Sequence, residues 1–130
     1  MATAAQFAGL SRIGQISVNV HDVAKAIAFY RDTLGMKFLF EVPKMAFFDC
    51  GGVRLMLALP DRAEFDHPGS IIYYKVDDIQ AAYKTLSSRG VRFETKPNLI
   101  ARMPDHELWM ASFRDQDGNL LELMSEVREK

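Results

Sequence analysis

The chain contains an internal repeat, and this repeat limits the possible folds more than any other feature of the sequence. Residues 15–22 and residues 71–78 are both apolar, strand-like runs that end in an aspartate at the start of a helical pattern, at an offset of 56. Residues 47–57 and 113–123 share the order Phe, Asp, Gly, Leu, Leu at an offset of 66. The sequence therefore predicts two consecutive units of the same construction.

Each unit has the pattern of one strand, one helix and three further strands. Asp22 and Asp78 occupy helix N-caps, where a carboxylate accepts a free N–H of the first turn. Gly35 and Gly90 follow the last apolar residue of each helix, as a C-cap glycine does. Strands are predicted at residues 12–20, 36–41, 45–50 and 53–59, then at 70–76, 91–95, 107–114 and 119–125, with an irregular loop over 96–104. This order predicts an α+β fold of paired βαβββ modules.

The length of 130 residues fits one domain, which we place over residues 1–130 with modules at about 11–60 and 70–126. The formal net charge is -1 without a run of Lys or Arg, which argues against a nucleic-acid partner. No apolar run approaches a membrane span, and the single cysteine gives no sign of an oxidising compartment. We therefore expect a cytoplasmic protein without a membrane partner.

Two stretches carry a resemblance to a known superfamily. The first module opens with QISVNVHDVAKAIAFYRDTLGM and the second closes with FRDQDGNLLEL, in which Gln116 replaces a usual proline. Together they resemble the vicinal oxygen chelate superfamily of glyoxalases, bleomycin resistance proteins and extradiol dioxygenases. The resemblance implies curved half-barrel sheets with outer helices, a cupped site between the modules and a homodimer.

Metalloenzymes of that superfamily place one metal ligand on the first and one on the last strand of each module. The resemblance puts those positions at Gln15, Met56, Ile71 and Glu122. Gln15 and Glu122 match the usual ligand types, whereas Ile71 has no donor atom and Met56 offers a soft thioether. A four-ligand divalent metal is therefore disfavoured. The alternative that stays open is a metal held by Gln15, His106 and Glu122.

Alternation along the strands predicts which side chains face the cup, because successive residues of a strand point to opposite faces. Leu121 and Leu123 pack inward, which turns Glu122 toward the cup. The cup is predicted to contain polar Gln15, Ser17, Asn19, Tyr73, His106, Ser112 and Glu122 beside apolar Met56, Ile71 and Met110. A mixed cavity of this kind suits a small organic ligand.

Two functions fit this cup. The first is a glyoxalase-like lyase or isomerase with Glu122 and His106 as catalytic residues, in which Glu122 abstracts a proton next to a carbonyl group and a metal or hydrogen-bond donors hold the enediolate oxygens. The alternative is a metal-free, ligand-sequestering protein of the resistance type, in which Met56 and Ile71 are pocket wall. A third hypothesis is a module whose ligand or partner is supplied by another gene product.

Overall fold

The computed structural model describes residue 7 and residues 9–128 of the chain. Within that part, the chain forms eight strands and two α-helices in the order β, α, β, β, β, repeated once. The bounds are β1 Gln15–Asn19, α1 Val23–Ile27, β2 Lys37–Val42, β3 Met45–Cys50, β4 Val53–Ala58, β5 Ile72–Lys75, α2 Ile79–Ser88, β6 Asn98–Arg102, β7 Glu107–Arg114 and β8 Leu120–Val127. The predicted α+β class and the paired βαβββ modules are confirmed.

The strands form two open four-stranded sheets, one for each module. Sheet A has the order β1-β4-β3-β2 and sheet B the order β5-β8-β7-β6. The first strand of each module pairs in parallel with the last, and the remaining pairs are antiparallel. Strands β1 and β5 are therefore sheet edges, as a half-barrel requires.

Both helices begin at the predicted aspartates. The carboxylates of Asp22 and Asp78 each accept a backbone N–H of the first turn at 3.0 Å. α1 continues as a π-helical segment, Ala28–Thr33, and α2 packs against β7 and β8. No helix among the described residues is long and apolar enough to cross a membrane.

One predicted strand is wrong. Residues 91–95 form only an isolated bridge, Phe93 to Phe113, and the strand that completes sheet B lies at Asn98–Arg102, inside the stretch predicted as an irregular loop. The N–H groups of Glu94 and Thr95 both reach the carbonyl of Ser112, so the ladder is interrupted there. Pro97 cannot donate to a ladder, and regular pairing begins only after it.

The two modules are joined by a buried carboxylate as well as by apolar packing. Asp115, which is 2% exposed, lies in the turn before β8 and accepts the hydroxyl of Tyr30 at 2.8 Å. Its carboxylate also accepts two backbone N–H groups and the side-chain amide of Asn119. That amide donates in turn to the carbonyl of Asn19 at 3.0 Å. The last hairpin of module two is thereby fastened to the first strand and helix of module one.

We expect Tyr30→Phe to lower the free energy of unfolding by about 1.5–3 kcal/mol, the range for a hydrogen bond to a charged group. Burial, and then Asp115, raise the pKa of Tyr30, so the phenol stays protonated and remains a donor. Denaturant unfolding measures the change. Tyr83→Phe is the matched control, because the Tyr83 hydroxyl has no hydrogen bond to the described residues. Equal stability of the Tyr30→Phe variant and the parent would refute the role of this bond.

Candidate functional site

Three predicted site residues form one row across the inner part of sheet B. Tyr73 on β5 is opposite Glu122 on β8, and Glu122 is opposite Ser112 on β7. The Ser112 hydroxyl donates to Oε2 of Glu122 in a short hydrogen bond. Paired residues of neighbouring strands share a face, so the structure brings these three side chains together. Met110 lies one row further along the same face, opposite Met124.

Glu122 is a buried carboxylate without a basic partner. It is 8% exposed, and no Lys, Arg or His of residues 9–128 forms an ion pair with it. Removing a carboxylate from water is costly unless an opposite charge or hydrogen bonds compensate. The face of sheet B therefore has one strong acceptor group available to a ligand or to a proton.

The inner face of sheet A holds the remaining first-module residues. Ser17 is opposite Met56, and Met56 is opposite Phe47. The side-chain amide of Gln15 lies 3.8 Å from the sulfur of Met56. This face has an apolar centre, because Phe47 also stacks on Phe40 with ring centroids 4.7 Å apart.

A groove of about 1010 Å³ lies between the edge strands β1 and β5. Four residues predicted to face the cup line it, namely Ser17 and Asn19 from module one and Ile71 and Tyr73 from module two. Tyr73 is 48% exposed, so an aromatic face is open to the groove. The volume lies at the upper end of the roughly 300–1,000 Å³ typical of small-molecule sites.

His21 and His67 lie at the groove and are not among the site residues predicted from the sequence. Both line the groove, together with Asp66, Pro68 and Asp117. The ring nitrogens of His21 lie 2.9 Å from Asp66 and 3.2 Å from Asp117. A neutral imidazole carries one N–H, so only the imidazolium donates to both carboxylates. No local motif in the sequence predicts this cluster, because its members come from three segments that are distant along the chain.

The side chain of Asn19 binds the linker between the two modules. Its side-chain amide donates to the carbonyl of Phe65 at 2.5 Å and to that of His67 at 3.4 Å. The linker between the modules is therefore a wall of the groove as well as a connection. A polar residue on the cup side of β1 indicated a site contact, but nothing in the sequence specified its partner.

His106 lies apart from the Glu122 row. It precedes β7, six residues before Ser112, which corresponds to about 20 Å of extended chain. Its Nδ1 is 2.7 Å from Asp105, and Asp105 also accepts Arg128 at 2.6 Å. Arg128, and then His106, lower the pKa of Asp105 to about 2. His106 thus belongs to an ion-pair network at the far end of sheet B.

The donor set does not fit a divalent metal held at the four superfamily positions. Ile71 has no donor, and the Met56 sulfur faces the amide nitrogen of Gln15. Residues 9–128 contain no group of three His, Cys, Asp or Glu side chains that could hold a metal ion. The set of Gln15, His106 and Glu122 is equally poor, because His106 and Glu122 lie on distant parts of one sheet.

We expect His21 to titrate above its ordinary pKa of 6.5, because the carboxylate of Asp66, and then that of Asp117, raise the pKa of His21. Because the pKa of His21 is raised in the folded state, its ion pairs contribute fully to the free energy of unfolding below the pKa of His21 in the unfolded chain. That contribution is lost as the pH rises through the pKa of His21 in the folded protein. An NMR titration of the ring measures the value. The Asp66→Asn substitution should lower the pKa of His21, whereas the control substitution Asp61→Asn should leave it unchanged. An unchanged pKa of His21 in the Asp66→Asn variant would contradict the pairing.

Comparison with known proteins agrees with the fold. The model of the Glyoxalase/Bleomycin resistance protein/Dioxygenase superfamily matches residues 12–123. The uncharacterized protein YraH of Bacillus subtilis is 30% identical over 126 residues, covering 84% of this chain and 94% of that protein. The metallothiol transferase FosB of Staphylococcus haemolyticus is 44% identical over 118 residues, covering 85% and 81%.

A solved structure shows the same relationship in three dimensions. The crystal structure of a superfamily member from Sphaerobacter thermophilus is similar with a TM-score of 0.73 at 30% identity, covering 90% of this chain and 98% of that chain. The sequence match and the shared architecture both extend over both modules. The chain therefore belongs to the glyoxalase/bleomycin resistance protein/dioxygenase superfamily.

Proposed function

We propose that the chain binds a small organic molecule in a cup made by the inner faces of both sheets and the groove between β1 and β5, without a resident metal. The cup comprises Gln15, Ser17, Met56, Ile71, Tyr73, Met110, Ser112 and Glu122. The observation that carries this proposal is that Met56 and Ile71 occupy two of the four ligand positions, whereas Glu122 at a third is a buried carboxylate. Met56 and Ile71 therefore form pocket wall at positions where metalloenzymes of the superfamily have metal ligands, whereas the carboxylate of Glu122 remains as a polar contact for a ligand.

The charge of the cup indicates the class of ligand. The Glu122 carboxylate has a hydroxyl partner in Ser112 but no cation among the described residues. Tyr73 offers an aromatic face beside it, which attracts a cation as well as an apolar ring. We therefore propose a ligand with an apolar or aromatic body and one positive charge.

Calorimetric titration with benzylamine and with benzyl alcohol tests this proposal. We expect benzylamine to bind more tightly, with the same affinity before and after chelator treatment. Glu122→Gln should weaken benzylamine binding about tenfold, since a charged hydrogen bond contributes about 1.5–3 kcal/mol. Glu41→Gln, an exposed carboxylate on β2, is the matched control. The proposal would be refuted if benzylamine did not bind, if its binding required a metal, or if the Glu122→Gln variant bound it with unchanged affinity.

The second candidate function is proton abstraction next to a carbonyl, and the position of Glu122 between Tyr73 and Ser112 specifically favours it. A carboxylate held in place beside a bound substrate can accept a proton from it. The side chains of Gln15 and Tyr73 would donate hydrogen bonds to the developing oxyanion in this candidate. His106, about 20 Å along the strand from the Glu122 row, has no part in it. Deuterium exchange into hydroxyacetone, lost in Glu122→Gln, would distinguish catalysis from storage.

The relative named metallothiol transferase has a name that implies a metal and a thiol substrate. The cup of this chain retains Gln15 and Glu122 but offers no donor at Ile71. We therefore propose that its ligand chemistry differs from that of the named transferase, although the fold is shared.

We also propose a homodimer. The outer strands β2 and β6 are sheet edges, and large apolar side chains on or next to them are exposed, including Phe40, Val42, Ile100 and Met103. Exposed apolar edges are usually covered, and two-fold dimers are the commonest soluble oligomers. We propose in addition that residues 1–130 form one domain and that the protein is cytoplasmic.

Sedimentation velocity at micromolar concentration should show a dimer that Phe40→Lys converts to monomer, because a charge on the apolar edge opposes burial. Leu10→Lys is the control, since Leu10 is exposed but lies outside both sheets. A parent protein that sediments as a monomer would contradict the dimer.

A further inference from the structure

A second pocket of about 350 Å³ lies on the opposite side of sheet B from the cup. Tyr74 on β5 and Val76 directly after it line this pocket, whereas Tyr73, the residue before Tyr74, faces the cup. On β8, Leu123 lines the pocket while Glu122 faces the cup. Because alternate residues point to opposite faces of a strand, the two cavities are separated by the sheet itself.

The wall of this pocket is apolar and comes from both modules. Leu34 and Met36 belong to module one and lie after its helical segment. Ala82 and Leu86 belong to α2 of module two. Cavities at the junction of two structural units are frequent ligand sites, and this volume suffices for a small apolar body.

Arg89 provides a positive charge at this pocket. It is the C-cap of α2, and one guanidinium nitrogen donates to the carbonyl of Thr33 at 2.9 Å. No carboxylate of the described residues forms an ion pair with Arg89. A guanidinium has five N–H donors in a planar fork that matches a carboxylate, so most of its hydrogen-bonding capacity is available.

Tyr74 contributes its ring to the wall of the pocket and not its hydroxyl. That hydroxyl is buried and has no hydrogen-bond partner among the described residues, and the ionisable groups near it are Cys50 and Asp115, which do not line the pocket. The pocket therefore combines an apolar wall with one guanidinium, that of Arg89, whose remaining donors have no carboxylate partner among the described residues.

We infer that this pocket binds a small amphiphilic carboxylate, with its apolar body between α2 and sheet B and its carboxylate on Arg89. Such a ligand would contact both modules at once and would hold them together from the side opposite the cup. The site is independent of the proposed function of the cup, because no residue is shared between them.

Titration with octanoate and with octan-1-ol tests the inference, with methyl-labelled methionines as reporters of position. Octanoate should shift the NMR signal of Met36, which lines the pocket, and leave those of Met56 and Met110 in the cup unchanged. Octan-1-ol should bind more weakly. Arg89→Gln should weaken octanoate binding about tenfold, as expected for loss of a charged hydrogen bond, without altering octan-1-ol binding.

Arg92→Gln is the matched control, because Arg92 is exposed and does not line the pocket. Thermal unfolding of each variant without ligand shows whether it is folded. The inference would be overturned if octanoate did not shift the Met36 signal, or if it shifted only the signals of Met56 and Met110. It would also be overturned if the Arg89 and Arg92 variants lost affinity for octanoate equally. Failure of benzylamine to bind the cup would leave this result unaffected, so the two proposals fail separately.

Discussion

The buried carboxylate of Asp115 is the interaction on which the arrangement of the modules depends. A carboxylate that is 2% exposed is tolerated because four donors surround it, two from its own turn's backbone, one from Asn119 and one from Tyr30 of the other module. The bond to Tyr30 crosses from the last hairpin to the first helix. The amide of Asn119 joins the same hairpin to Asn19 of β1, and residues 117–121 of the hairpin line the groove between β1 and β5.

The repeat is symmetric in backbone but not in chemistry. Asp49 occupies the position of Asp115 in module one and accepts a backbone N–H of its turn at 3.2 Å. The counterpart of Tyr30 in the second helix is Leu86, which has no hydroxyl to donate. The same asymmetry appears in the cup, where Glu122 on β8 corresponds to Met56 on β4. At this pair of positions, module two has a carboxylate and module one has an apolar side chain.

The two faces of sheet B lie in different environments, because successive residues of β5, β7 and β8 alternate between them. The Tyr73, Glu122 and Ser112 row faces the cup, and the intervening Tyr74 and Leu123 face the helix side. On that side α2 covers only part of the sheet, which leaves the pocket near Arg89. A shift of one residue in register would exchange these faces, and the burial of Leu121 and Leu123 opposes such a shift.

The sequence alone determined the two βαβββ units, the caps at Asp22 and Asp78 and the facing of Glu122, because these follow from local hydrogen bonding and two-residue periodicity. It misplaced the strand after Val91, since the competition between Phe93 and residues 98–102 for the edge of β7 is settled by pairing across space. The His21 cluster, the distance of His106 from Ser112 and the pocket beside Arg89 were decided by tertiary structure. Each depends on segments that are remote in sequence and meet only when the modules pack.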